Sequence, residues 1–219
     1  MNRKGATTKL AVSPSLQPGR AGLKWLDQNQ STNMLVGAIL MVLQPDLYEI
    51  GCKALAELAA DPNIVKNSEH LSSPLSKWNL PFNSVSIYSH RTTPLHHDTL
   101  GRNEWMDLML ALGYYEHGRL ELSGLNIAFK YDPGTIVAFS GKLMQYGTIC
   151  NGEHAYIAYS MVDHVLDCLH QRVVPWENMA KFRSIQKAVR TTSVNIPTFN
   201  NMVDSIMDEV REEKEEGNS

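Results

Sequence analysis

The segment TTPLHHDTL, residues 92–100, sets His96, His97 and Asp98 side by side just after Pro94. In an extended chain successive side chains alternate between faces, so His96 and Asp98 point the same way and His97 points away. An imidazole and a carboxylate on one face supply two ligands of a 2-His-1-carboxylate facial triad. That triad holds non-haem Fe(II) and leaves positions open for co-substrate and oxygen. The third ligand, a second histidine, has to come from another strand. The same residues also make an ordinary polar turn, so the elements around them decide between the two readings.

Those elements read as short strands. Val85, Ile87 and Ser89 alternate with Ser86, Tyr88 and His90; Leu120 and Leu122 with Glu121 and Ser123; Ile127 and Phe129 with Ala128 and Lys130. The turn Asp132-Pro133-Gly134 feeds TIVAFSG, where Ile136, Ala138 and Ser140 alternate with Thr135, Val137 and Phe139. HAYIAYSM, residues 154–161, alternates again. Period two between Gly and Pro turns predicts a β-sandwich or jelly roll. Trp105 to Leu112 fits a helix and a strand equally. Upstream, Leu47 to Ala60 predicts a helix, with Asp46 at the N-cap, Glu49 at capping-box spacing and a stripe of Leu47, Ile50, Ala54, Leu55 and Leu58. Asp61-Pro62 ends it. The expected class is mainly β with flanking helices (α+β).

The chain of 219 residues is 43% hydrophobic, enough for one core with tails. Residues 1–22 are polar, carry Arg3, Lys4, Lys9 and Arg20, and read as a flexible arm. Residues 23–175 read as the jelly-roll domain with its N-terminal helices, and 176–219 as a helical extension with an acidic tail. A net charge of −3 and a pI of about 6.2 exclude a wholly basic nucleic-acid binder and leave room for a local basic groove. Cys52, Cys150 and Cys168 form no CxxC pair, against a structural zinc site or a disulfide scaffold and for a reducing, intracellular compartment. The N-terminus has no apolar run of signal-peptide length, and Met34 to Leu43 is too short to span a bilayer. No segment identifies a protein partner.

Three segments carry a further resemblance: SVSIYSHRTTPLHHDTLGRNEWMDLMLALG at 84–113, YDPGTIVAFSG at 131–141 and NGEHAYIAYSM at 151–161. With the lead-in QPDLYEIGCKALAELA, the stretch Leu40 to Leu169 resembles the TET/JBP family of Fe(II)- and 2-oxoglutarate-dependent dioxygenases, in its fungal form. The resemblance implies a double-stranded β-helix, Fe(II) and 2-oxoglutarate as cofactors, and oxidation of the methyl group of 5-methylcytosine or thymine in nucleic acid. DNA as a partner and a nuclear location follow from it alone.

Carried over residue by residue, His96 and Asp98 match the family's first two metal ligands. The place of its second histidine falls on Tyr146. The place of the arginine that grips the co-substrate falls on His154, with Tyr156 on the same face. A phenol near its ordinary pKa of about 10 is a poor Fe(II) ligand. A histidine lacks the permanently charged fork that holds a carboxylate through two parallel hydrogen bonds. Both departures together imply a divergent or degenerate copy. Two other readings stand beside it: a non-catalytic nucleic-acid- or protein-binding module on the same scaffold, and an unrelated cupin-like metal protein ligated by His96, Asp98 and His154.

Other residues carry weaker expectations. His90 lines the mouth or lies on the surface. Asp107 matches a family aspartate with a structural hydrogen-bonding role. Trp105, Tyr114 and Tyr115 stack a flipped base or simply pack. Arg102 and Lys142 contact phosphates or are solvated.

Overall fold

Two long strands carry Tyr146, His154 and Asp107, and a short strand and a turn bring His96 and Asp98 to Tyr146. The computed structural model describes residues 10–176 and Arg183. Met1–Trp176 is one compact unit and Glu177–Ser219 a second. The helical extension expected over 176–219 lies, apart from Trp176 and Arg183, outside the described residues.

In chain order the elements are β1 (Leu10–Ala11), α1 (Ala21–Gln28), α2 (Gln30–Leu43), α3 (Pro45–Ala60), β2 (Val65–Lys66), α4 (Ser72–Lys77), β3 (Ser84–Ser89), β4 (Thr93–His96), β5 (Asp107–Leu122), β6 (Ile127–Lys130), β7 (Ile136–Phe139), β8 (Tyr146–Ser160) and α5 (Asp163–Cys168). Part of the expected N-terminal arm is built into the fold, since β1 pairs in parallel with β2 and α1 begins at Ala21.

The main sheet has six antiparallel strands ordered β3-β8-β5-β6, with β4 also on β8 and β7 also on β5. A large antiparallel sheet flanked by helices is the form of a jelly-roll dioxygenase core. Trp105 to Leu112, ambiguous in the sequence, is strand from Asp107. Flanking strands β7 and β8 take up its backbone groups on both edges, which overrides its helical spacing.

The helix expected from Leu47 starts at Pro45. Its N-cap is Gln44, not Asp46, and Asp46 lies in the first turn. The Gln44 side chain is used elsewhere: it donates to Glu104 O at 2.7 Å and accepts from Met106 N at 3.0 Å. Those two bonds tie α3 to the start of β5.

The sheet's two faces belong to two cores. Leu108, Leu110, Ile157 and Tyr159 pack under Leu40, Leu47, Ile50 and Ala54 of α2 and α3. Met109, Ala111, Leu120, Leu122, Tyr146 and Tyr156 face the other way, with Tyr131 and Phe139. On β5 this second face changes parity, from odd positions before the bulge to even positions after it. The cause is a register shift between Glu116↔Asn151 and Arg119↔Ile149. One extra residue reverses every following side chain. His117 takes a positive φ of 60° there. A Cβ on neighbouring Gly118 would come within 2.5 Å of Tyr131 O and 2.9 Å of Cys150 Sγ, so the bulge admits only glycine at that position.

Candidate metal and co-substrate site

His96 ends β4 opposite Tyr146, the first residue of β8. Tyr146 also pairs with Leu122, and Leu122 with Ile127. Cross-strand partners share a face, so Ile127, Leu122, Tyr146 and His96 form one row across four strands. The rings of His96 and Tyr146 lie 4.4 Å apart, and Phe139 closes on Tyr146 edge-on at 4.8 Å.

Asp98 lies beyond the end of β4. Its backbone N–H donates to Gly141 O at 2.9 Å, which fixes it against the turn after β7. Its Oδ1 is 3.7 Å from His96 Nε2, and its Oδ2 accepts from the Tyr146 hydroxyl at 3.1 Å. His96, Asp98 and Tyr146 are therefore brought together, while His97 is exposed.

The His96 Nδ1 lies 2.9 Å from Pro94 O. A carbonyl only accepts, so that contact puts a proton on Nδ1. The neutral ring then presents a bare Nε2 to the carboxylate, and two facing acceptors call for a proton or a cation between them. A divalent cation held here would take His96 Nε2 and Asp98 Oδ1 as ligands. The pair fits a divalent cation.

The third position does not fit Fe(II). Burial, and then the Asp98 charge, push the Tyr146 phenol well above its ordinary range. A phenol held neutral and donating to Asp98 competes with a metal for the carboxylate oxygen. Among the described residues no group of three His, Cys, Asp or Glu side chains is arranged to hold a metal ion.

Asp107 is the second carboxyl here. It is buried at the start of β5 and accepts from Gly141 N at 3.0 Å. Burial pushes its carboxyl up to about 7, against the lowering effect of the Gly141 N–H and with a smaller upward push from Asp98. Gly141 has no room for a side chain: a Cβ would lie 2.4 Å from Asp98 Oδ2 and 3.0 Å from Asp107 Oδ2. The expected structural hydrogen bond of Asp107 is thus to the SG turn itself.

His154 lies elsewhere. It sits on β8 with Tyr146, not on a following strand, and its ring neighbours are His90, Tyr115 and Tyr156. It is not brought to His96 and Asp98, and the cupin-like ligand set built on it does not form. Its Nδ1 is 2.8 Å from Gly152 O, so Nδ1 carries the proton. Its Nε2 is buried without a hydrogen-bond partner. The hydroxyls of Tyr131, Tyr156 and Thr148 are buried and unpartnered as well. Tyr156 stacks on Tyr131 at 5.5 Å. This interior offers hydroxyls and an imidazole whose Nδ1–H is taken by Gly152 O, and no buried Arg or Lys among the described residues, so it does not fit the carboxylate of 2-oxoglutarate.

The remaining candidates are mostly structural. Arg102 is held by Asp163 and Asp167 and lies over the Trp105 ring. Trp105 is buried, and Tyr115 is buried with its hydroxyl on Tyr131 O at 2.7 Å. Lys142 donates to Thr99 O at 2.8 Å. Tyr114 is exposed. Sequence reasoning missed Tyr131, Thr148 and Cys150. Tyr131 opens the YDPGT motif, and that position was the available signal; no pattern marks the other two.

A family model, Tet_JBP, described as the oxygenase domain of the 2OGFeDO superfamily, matches residues 19–166. A solved structure titled "NgTET1 in complex with 5mC DNA" is similar at 16% identity and a TM-score of 0.36, over 53% of this chain and 46% of that one. The similarity therefore spans less than half of that protein's length. No curated protein matches the sequence. Among the described residues no helix is long and apolar enough to cross a membrane.

Proposed function

Because the chain belongs to the TET/JBP oxygenase-domain family of the 2OGFeDO superfamily, we propose that it is a divergent member that keeps the first two metal ligands and has given up 2-oxoglutarate turnover. The family reaction oxidises the methyl group of 5-methylcytosine or thymine in nucleic acid. In this chain His96 and Asp98 hold a divalent cation weakly, and the domain works as a binding module for nucleic acid in the nucleus.

The observation that carries this reading is the Tyr146 hydroxyl on Asp98 Oδ2 at 3.1 Å, where the family has a histidine. A second imidazole would give the metal a third strong ligand and leave both carboxylate oxygens free. The phenol gives a hydrogen bond and takes one oxygen. At the other position, His154 spends its one N–H on Gly152 O and offers a co-substrate carboxylate nothing charged.

The test is a 2-oxoglutarate decarboxylation assay on the full chain loaded with Fe(II), with and without 5-methylcytosine DNA. No succinate above the metal-free control is expected, together with salt-sensitive binding of the DNA. Succinate formed in step with oxidised methylcytosine would overturn the proposal.

A further inference from the structure

We propose that His90 and His154 form a second cation site, which takes an imidazole-seeking late first-row metal, copper or zinc. Ser89 pairs with Ala155 at the end of β3, and the next residue, His90, donates its backbone N–H to His154 O at 2.9 Å. His90 thus stands across from His154, and cross-strand partners share a face. Their rings lie 6.1 Å apart. Two imidazoles on one cation need roughly 5–6.5 Å between ring centres, given metal–nitrogen bonds of about 2.0–2.1 Å.

Both rings are oriented in the same way. His154 donates its Nδ1–H to Gly152 O at 2.8 Å. His90 Nδ1 lies 2.8 Å from the Ser89 hydroxyl, which accepts a hydrogen bond as readily as it donates one. With Nδ1 tied, Nε2 is left as the ligand atom, the arrangement by which proteins fix the tautomer of a metal-binding histidine. The His154 Nε2 carries the argument furthest. Its residue is only 7% exposed, and the nitrogen is buried with no hydrogen-bond partner. A lone pair so placed costs stability until a donor or a cation meets it. His90 also has a φ of 52°, uncommon for a residue with a side chain, and such conformations cluster at functional sites.

The ligand set selects the metal. The other rings beside His154 are Tyr115 and Tyr156, and among the described residues no Cys, Asp or Glu joins the pair as a third ligand. Two neutral imidazoles without a carboxylate favour copper or zinc over magnesium, calcium or manganese. His90 is exposed, so water completes the coordination sphere from that side. When occupied, the site clips the edge strand β3 to β8 and stabilises the folded chain.

The test is one equivalent of Cu(II) added to the full chain and read by electron paramagnetic resonance, with Zn(II) in a parallel thermal-unfolding series. Hyperfine coupling of copper to two imidazole nitrogens is expected, and it survives His96→Ala. His90→Asn keeps a residue that tolerates positive φ and removes the ligand. It is expected to leave one coupled nitrogen and to raise the Cu(II) dissociation constant at least about tenfold, the low end of the cost of losing even a supporting partner of a ligand. His154→Gln, with unchanged circular dichroism, is expected to do the same. Zn(II) should raise the unfolding temperature of the parent and not that of His90→Asn. Coupling unchanged by His90→Asn overturns the proposal, as does an equal zinc-induced shift in the two proteins. Coupling lost with His96→Ala overturns it too, and places the copper on His96 and Asp98.

Discussion

The Tyr146 hydroxyl donates to Asp98 Oδ2 across 3.1 Å while its ring lies 4.4 Å from that of His96. One phenol thus touches both residues best suited to hold a cation. Replacing it with a ligand that does not compete for the carboxylate should show directly in metal affinity. Tyr146→His is expected to tighten Mn(II) binding by about tenfold or more, roughly 1.4 kcal/mol, read by the loss of the free-ion electron paramagnetic resonance signal. His96→Ala in that background should remove the gain. Tight Mn(II) binding by the unaltered chain that survives His96→Ala would place the metal elsewhere.

Asp107 gives a pH signature in metal-free protein. Its folded-state carboxyl is raised, from 3.8 to about 7, so the neutral form is the one that favours folding. That stability is complete below about 3.8 and is lost as the pH rises through about 7. Asp107→Asn keeps an acceptor for Gly141 N–H and cannot ionise. Its urea midpoint should stay level between those pH values while that of the parent falls. Parallel curves for the two proteins would show that Asp107 does not titrate in this window.

Gly141→Ala tests the close approach of the two carboxyls. Its Cβ would lie 2.4 Å from Asp98 Oδ2, so Asp98 must move. The expected cost is about 1–3 kcal/mol of stability, with Mn(II) binding lost at the same time. Unchanged metal affinity would mean that Asp98 is not the ligand.

The interior polar atoms predict an unusual sign. The Tyr156 hydroxyl is buried beside Thr148 and Cys150 and makes no hydrogen bond of good geometry, so removing it gives up little. Tyr156→Phe should be neutral or stabilising in thermal unfolding. His154→Arg should do the reverse, because it buries an unpaired guanidinium at a cost of about 3–5 kcal/mol. A destabilising Tyr156→Phe would reveal a hydrogen bond to that hydroxyl.

Much of this site was legible in the sequence because it follows local rules. Period two put His96 and Asp98 on one face, and the PGT and SG of YDPGTIVAFSG located the turn that holds Asp98. The helix over Leu47 to Ala60 was readable from its stripe, though its cap was not, since Gln44 is fixed by Glu104 and Met106 some sixty residues away. What stayed hidden is non-local. Trp105 to Leu112 declares itself a strand only through β7 and β8. The parity change at Gly118 depends on an extra residue that no single strand displays. The position of His154 on the same strand as Tyr146, and its burial beside Tyr115 and Tyr156, depends on that same ladder.

The ladder of β5 and β8 also dictates an order of assembly. At the Leu122↔Tyr146 end the partners are 24 residues apart in sequence, and at the Leu108↔Tyr159 end they are 51 apart. Closing the shorter loop costs less chain entropy, so pairing starts at Tyr146 and zips toward Tyr159. The Leu122↔Tyr146 end is then expected in the folding nucleus, whereas His96, 50 residues before its partner Tyr146, and the seam against α2 and α3 join later. Leu122→Ala should therefore slow refolding, whereas Ile157→Val should chiefly speed unfolding, a division that stopped-flow chevrons resolve.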